Sequence, residues 1–121
     1  MKWEFSDDRP IYSQIIEQMK LFIVSGELSP GEKVMPVREL AYAAGVNPNT
    51  MQRALSELER MGLMSSNRTS GRFVTEDVGI IQSAKLEIAR RSISDFLSSM
   101  QKIGYGREAA IKLLESMNEA S

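Results

Sequence analysis

The chain has 121 residues, 42% of them hydrophobic, which is enough for one compact domain and an appendage. It contains no Cys and no His, which excludes disulfides, thiol chemistry and the commonest general bases and soft metal ligands. The net charge is −1, no run approaches the roughly 20 apolar residues of a membrane span, and no secretory signal is recognisable. These features predict a cytoplasmic protein that is not an enzyme, has no membrane partner and needs no metal or cofactor.

The first predicted helix begins at Pro10. Apolar residues recur there at helical spacing, namely Ile11, Ile15, Met19, Phe22 and Ile23. The helix breakers between Gly26 and Gly31 predict its end. Tyr12 and Gln14 belong to the same helix, and we interpret them as packing residues, with contact to phosphates as the alternative.

Residues 36–61 are predicted to form two short helices joined by a tight turn at Gly45 and Val46. Asn47 suits the N-cap of the second helix, and Pro48 suits its first position. One face of this second helix is apolar and carries Met51, Leu55, Leu58 and Met61. The opposite face carries Asn49, Gln52, Arg53, Ser56 and Arg60. Outward amides and guanidiniums are what major-groove recognition requires, although a polar outer face is normal for any surface helix.

A β-hairpin is predicted directly after this helix. Two β-prone runs, residues 63–66 and 72–75, flank a polar turn at residues 67–71. Arg68 and Arg72 lie on or beside its tip. A helix-turn-helix followed by a basic-tipped hairpin is a winged helix, whose wing can contact phosphates or a narrow minor groove. For the hairpin alone, the alternative is a solvated loop whose arginines only maintain solubility.

Positive charge is concentrated in this middle segment. Residues 33–75 carry six basic and three acidic side chains, whereas the segments before and after them are both net negative. A local basic patch, rather than the net charge, is the electrostatic mark of a nucleic-acid-binding surface. Because the surplus of positive charge is modest, one subunit alone is expected to bind DNA weakly.

The rest of the chain predicts two amphipathic helices. A junction at residues 77–79 precedes a helix from 80 to about 103, and a break at 104–106 precedes a second helix from Arg107 to about Asn118. The longer helix carries an apolar seam of coiled-coil spacing, formed by Leu86, Ala89, Ile93, Phe96, Met100 and Ile103. Two helices of this size cannot bury their apolar faces in isolation. The seam is therefore predicted to be a homodimer interface, with packing on the chain's own winged domain as the alternative.

In this order and spacing, the segments resemble the GntR family of bacterial transcription regulators. The resemblance covers residues 10–75. The matching pieces are Pro10-Ile11-Tyr12, Gln14-Ile15, Gly26-Glu27-Leu28, Pro30-Gly31, Val37-Arg38-Glu39-Leu40-Ala41, Val46-Asn47, Thr50, Arg53-Ala54-Leu55, Leu58-Glu59, Gly62-Leu63, Gly71 and Phe73-Val74. The resemblance implies a winged-helix domain that binds operator DNA and works as a dimer.

The resemblance also implies individual DNA-contact positions. Arg38 and Gln52 fall where family members read bases, and Gly71 matches the wing-tip glycine at which the backbone approaches DNA. Asn47, Asn49 and Thr50 match the start of the recognition helix, which meets bases and phosphates. Arg53 falls on a position that is commonly basic in the family. With the two wing arginines added, the predicted DNA-binding set is Arg38, Asn47, Asn49, Thr50, Gln52, Arg53, Arg68, Gly71 and Arg72.

One feature of the family is missing before the second helix. Val34, Met35 and Pro36 stand where the family usually has Leu-Pro-Ser. Proline has neither a hydroxyl nor an N–H group to donate, so the phosphate contact of that serine is not carried over to this chain.

We therefore expect a mainly α protein with a small β-hairpin. Residues 1–76 are predicted to form a winged-helix DNA-binding domain, and residues 77–121 a helical dimerisation region that folds as a two-helix hairpin. The short segment after the wing resembles the YtrA-like branch of the family, whose small C-terminal part is a two-helix dimerisation unit.

The expected function is that of a sequence-specific transcription regulator, a repressor, which binds a pseudo-palindromic double-stranded operator as a homodimer. The alternative is a winged-helix interaction module that binds other proteins and does not read DNA. A two-helix unit has little room for the ~300 Å³ of a typical ligand pocket. Any small effector, which the sequence does not identify, is therefore expected at the dimer interface or between the hairpin and the winged domain.

Overall fold

The computed structural model describes residues 1–117, which form five helices and one antiparallel hairpin. In chain order the elements are α1 (Ile11–Val24), α2 (Val37–Ala44), α3 (Pro48–Arg60), β1 (Met64–Asn67), β2 (Gly71–Val74), α4 (Val78–Lys102) and α5 (Arg107–Ser116). The expectation of a mainly α chain with a small hairpin is confirmed. The last helix was predicted to end near Asn118; α5 ends at Ser116, and Asn118 lies outside the described residues.

The chain divides into two compact units, and the boundary between residues 84 and 85 lies inside α4. The first two turns of α4 belong to the first unit, because Ile81 is buried in its core and Ile80 and Ala84 pack against the same cluster. The largest fully buried side chains of this core come from α1, α2, α3, the residue directly before β1, and β2: Ile15, Met19, Ile23, Leu40, Met51, Leu55, Leu58, Leu63 and Val74.

The pair formed by α1 and α3 makes the most extensive contact between helices in the first unit. Both helices are amphipathic, and each buries one stripe of side chains. Met19 and Ile23 of α1 and Met51, Ala54 and Leu58 of α3 are all almost completely shielded from solvent. Because this inner face is buried, the rotation of α3 about its axis is fixed, and so is the set of side chains on its outer face.

The turn between α2 and α3 follows the local signals in the sequence. Gly45 ends α2 in the left-handed conformation, with φ of 72°, which glycine adopts without strain. The N–H of Val46 donates to the carbonyl of Ala41 across 3.0 Å, which closes the end of the helix. Asn47 then caps α3: its side-chain oxygen accepts a hydrogen bond from the N–H of Asn49 at 2.7 Å.

The hairpin is attached to the segment that precedes α2. In its register Ser65 lies opposite Phe73 and Asn67 opposite Gly71. Lys33 forms an isolated antiparallel bridge with Phe73, and backbone hydrogen bonds flank this bridge on both sides. The hairpin is therefore held by backbone hydrogen bonds along its second strand as well as by the buried side chains at its base.

The nine residues before Pro10 lie along α1 and are bound to it by glutamine side chains. The Gln14 side chain is 2% exposed; its oxygen accepts from the N–H of Ser6, and its amide donates to the carbonyls of Ser6 and Arg9, all at 2.8 Å. Trp3 stacks on Phe5 and meets the edge of Phe22. The predicted packing role of Gln14 is thus a specific one, since it anchors the N-terminal segment.

In the second unit, the helices α4 and α5 leave much apolar surface exposed. Ala110 is buried, but Ile103 is 69% exposed and Leu114 is 58% exposed. The turn that ends α4 is closed by a hydrogen bond from the N–H of Tyr105 to the carbonyl of Met100 at 2.9 Å. Across the described residues, neither of these helices nor any other has the length and apolarity required to cross a membrane.

Candidate nucleic-acid interface

The outer face of α3 presents the polar side chains that the sequence predicted for DNA recognition. Asn49, Gln52 and Arg53 are exposed, and Thr50 is half-buried. The Gln52 amide donates to the hydroxyl of Ser56 one turn later at 3.3 Å, a long and weak hydrogen bond. The amide groups of Asn49 and Gln52 can therefore both turn towards the edge of an adenine.

Asn47 differs from these residues because its side-chain oxygen is already occupied. That oxygen caps α3 through the N–H of Asn49, so the side chain contributes first to the stability of the helix. Asn47 as a whole is exposed at the start of α3, where the positive end of the helix dipole also lies.

The guanidinium of Arg53 lies over the aromatic ring of Tyr12. The distance from the Arg53 Cζ atom to the centroid of the ring is 4.6 Å, within the range of a cation–π interaction. Tyr12 is half-buried on α1 and packs against the core. The contact therefore joins the first helix of the fold to the outer face of α3.

Arg38 is exposed at the second position of α2. Among the hydrogen bonds and ion pairs formed within residues 1–117, none involves its side chain. Its guanidinium is thus a solvated positive charge that can bind a base edge bidentately without first breaking a contact within the protein.

At the tip of the hairpin the backbone is shaped by Asn67 and Gly71. The oxygen of the Asn67 side chain accepts hydrogen bonds from both the N–H and the hydroxyl of Thr69 at 2.9 Å, which fixes the turn that exposes Arg68. Gly71 has a φ of 105°, a conformation that disfavours every residue with a Cβ atom. A Cβ added there would also lie 3.2 Å from the Cε atom of Lys33.

Lys33 is a basic residue of this surface that lies outside the DNA-binding set predicted from the sequence. Its ammonium nitrogen would be 3.9 Å from a Cβ atom at Gly71, so the charge lies beside the glycine of the wing. Lys33 belongs to the basic segment of residues 33–75. Its position beside Gly71 depends on a β-bridge to Phe73, forty residues away, and no local pattern in the sequence indicates such a contact.

Two other arginines of this region are bound to carboxylates. The Nε of Arg72 donates to Glu59 on α3 at 2.6 Å, and the Arg72 side chain is only 15% exposed. Arg60 donates to both carboxylate oxygens of Glu57, which lowers the pKa of Glu57. The sequence placed Arg72 among the wing residues that contact DNA, whereas in the structure its Nε–H is directed at α3.

Five residues of the predicted dimer seam lie on α4, and Ile103 lies in the turn directly after it; most of the six are exposed in the single chain. The exposed fractions are 51% for Leu86, 56% for Ile93 and 42% for Phe96, and Ile103 is more exposed still. Ala89 is also exposed, while Met100 is half-buried. The described part of the chain leaves this seam largely uncovered.

Comparison with known proteins identifies the family. The model of the gntR family of bacterial regulatory proteins matches residues 11–74. The uncharacterized HTH-type transcriptional regulator YhcF of Bacillus subtilis is 35% identical over 116 residues, which is 96% of each chain. The HTH-type transcriptional repressor YtrA of Bacillus subtilis is 46% identical over 68 residues, which is 56% of this chain and 52% of YtrA.

Solved structures agree with this assignment. A GntR family transcriptional regulator from Listeria monocytogenes is 37% identical and superposes with a TM-score of 0.85, covering 94% of this chain and 100% of that one. The AraR DBD in complex with operator ORX1 is 28% identical, with a TM-score of 0.56, and the match covers 62% of this chain and 96% of that one. The chain belongs to the GntR family of bacterial regulatory proteins and is a DNA-binding transcription regulator, not an enzyme.

Proposed function

We propose that the protein is a homodimeric transcriptional repressor that binds a pseudo-palindromic operator in the cytoplasm. The observation that carries this proposal is the division of α3 into two faces. Its inner face is buried against α1, while its outer face offers two amides and a guanidinium to solvent. Such a helix fits the major groove, and the adjacent wing can bind the flanking backbone.

Within this interface, the side chains divide by chemistry. Arg38, Asn49 and Gln52 read base edges, because guanidinium and amide groups can form bidentate hydrogen bonds with guanine and adenine. Backbone phosphates are bound by Thr50, Arg53 and Arg68, by the side-chain amide of Asn47 and by the peptide backbone at Gly71. Arg72 contributes mainly by holding the wing to α3, and any phosphate contact it makes uses its remaining N–H groups.

The homodimer is supported by the uncovered apolar seam of α4. Leu86, Ile93 and Phe96 are each 42% to 56% exposed in one chain. Exposure of such a strip of apolar surface to water is unfavourable. A second copy that packs its own seam against the first removes this surface from water. A two-fold dimer also matches the symmetry of a pseudo-palindromic operator, with two recognition helices on successive turns of the major groove.

The repressor role is supported by the similarity to the repressor YtrA, which extends over 68 residues of the chain. A repressor bound over a promoter excludes RNA polymerase by occupancy. The mechanism therefore requires affinity and sequence selectivity from this protein and no catalytic step.

The proposal is tested by titrating the full chain against a labelled duplex from the region upstream of its own gene. A shuffled duplex of the same length is the control. We expect preference for the upstream duplex, a footprint with two-fold symmetry, and affinity that falls steeply as salt is raised. Transcription from that promoter should fall when the protein is added. Equal affinity for the two duplexes would count against the proposed operator, and a monomer at micromolar concentration would count against the homodimer.

A further inference from the structure

The arginines near α3 differ in what their guanidinium groups contact. Arg60 and Arg72 direct N–H groups at the carboxylates of Glu57 and Glu59, so part of their hydrogen-bonding capacity and much of their charge are used within the protein. Arg53 forms no such ion pair within the range 1–117, and its identified partner is the ring of Tyr12.

An arginine over an aromatic ring differs from an arginine in a salt bridge in how many of its N–H groups are free and in how much of its charge is compensated. Over the ring of Tyr12, the Arg53 guanidinium donates no hydrogen bond to another group within residues 1–117, so its N–H groups are not committed to an acceptor in the protein. The charge is also uncompensated, because the ring attracts a cation without carrying a net negative charge. Arg53 over Tyr12 is therefore restrained in position and still able to donate to a phosphate.

Restraint of a long side chain matters for binding. A free arginine loses rotamer freedom when it binds a phosphate, and this loss opposes association. Tyr12 is itself half-buried on α1 and packs against the core, so it offers Arg53 a fixed support rather than a second mobile group.

We propose that Tyr12 is a positioning residue for DNA binding, whose ring holds the Arg53 guanidinium at the outer face of α3 with its N–H groups free for a backbone phosphate. This inference rests on the proposed contact between Arg53 and DNA. The proposal gives α1 an indirect role in phosphate binding, because Tyr12 on α1 acts through Arg53 on α3.

The test is a double-mutant cycle measured on DNA. The wild-type full chain first selects a duplex from a random pool, and affinities are then measured for that duplex and for an unselected one. Tyr12→Leu and Tyr12→Met, which lack an aromatic ring, should each bind both duplexes about two- to five-fold more weakly. Tyr12→Phe, which keeps the ring, should bind within two-fold of the wild type.

The decisive comparison is in the Arg53→Ala background. There the Tyr12→Leu substitution should cause no further loss of affinity, because the group that it positions is absent. Tyr42→Leu is the matched control, since Tyr42 is 90% exposed on α2 and has no stacking partner among the described residues. Thermal unfolding of each variant measures stability separately, and Tyr12→Met serves as the ring-free variant where Tyr12→Leu does not fold.

Each result decides between the two proposals. If the wild type selects a duplex but Tyr12→Leu and Tyr12→Met bind it normally, or lose as much affinity with Arg53→Ala as without it, the positioning role is overturned and the proposed function stands. If the wild type selects no duplex at all, the proposed function fails, and the positioning role fails with it.

Discussion

The Nε of Arg72 on the wing donates to the carboxylate of Glu59 on α3 across 2.6 Å, and both side chains are partly buried. The pair joins α3 to the second strand of the hairpin. Because partial burial reduces screening by water and salt, this ion pair resists changes in ionic strength more than an exposed one does.

Glu59→Gln should lower the free energy of unfolding by about 1 kcal/mol, because the hydrogen bond from Arg72 loses its charged acceptor. Urea denaturation at neutral pH measures this loss. Glu57→Gln is the matched control on the same helix, and we expect it to change stability little, since its partner Arg60 is 74% exposed. Equal losses in the two variants would show that burial of the Arg72 pair has no energetic consequence.

Arg38→Ala should leave folding unchanged and weaken binding to the operator by about 1–3 kcal/mol, with relaxed preference at one base pair in each half-site. The reason is that Arg38 is exposed and its side chain forms no hydrogen bond or ion pair within residues 1–117 that folding would lose. Affinities for a set of operators with single base changes measure the effect. Arg60→Ala is the control and should have a smaller effect, because Arg60 is bound to Glu57. Unaltered base preference in Arg38→Ala would remove this residue from the base-reading set.

Gly71→Ala should destabilise the chain by about 1–3 kcal/mol and weaken binding to all DNA sequences alike. Its positive φ disfavours alanine, and the new Cβ atom would displace the Lys33 side chain. Gly26→Ala is the control, since Gly26 also has a positive φ but open space around it and lies at the end of α1. Both variants should lose stability, and a loss of DNA affinity is expected for Gly71→Ala alone. Undiminished affinity in that variant would contradict a role for the wing backbone.

Phe96→Asp should convert the proposed homodimer to a monomer and abolish operator binding, because a charge in a buried apolar interface is strongly unfavourable. Sedimentation of the wild type and the variant measures the change. Ser98→Asp adds the same charge to an exposed position about half a turn round the helix from Phe96, and it should leave the dimer intact. A monomeric Phe96→Asp variant with full operator affinity would separate dimerisation from DNA binding.

Local sequence signals were sufficient for the elements of the winged helix. Gly45 with Val46 predicted the turn, Asn47 predicted the cap of α3, and two β-prone runs around a polar turn predicted the hairpin; all are present. These features depend on residues within a few positions of one another, and their conformations follow from intrinsic preferences of glycine, asparagine and β-prone side chains.

The contacts that refine the site were not predictable in this way. Tyr12 with Arg53, Glu59 with Arg72, and Lys33 beside Gly71 are pairs of residues distant in sequence. Their meeting depends on how α1, α3 and the hairpin pack, and on side-chain rotamers chosen in that packing. A basic residue can be recognised from the sequence, but whether its charge is free or paired is a property of the tertiary structure.

The N-terminal segment that Gln14 anchors to α1 also gives the protein an optical probe of its own. The chain has a single tryptophan, Trp3, and its indole stacks on the ring of Phe5 and makes an edge contact with the ring of Phe22. Emission excited selectively from indole therefore reports the environment of this segment alone. Detachment of the segment from α1 would expose the indole to water and shift its emission to longer wavelength, while the circular dichroism of the five helices would change little.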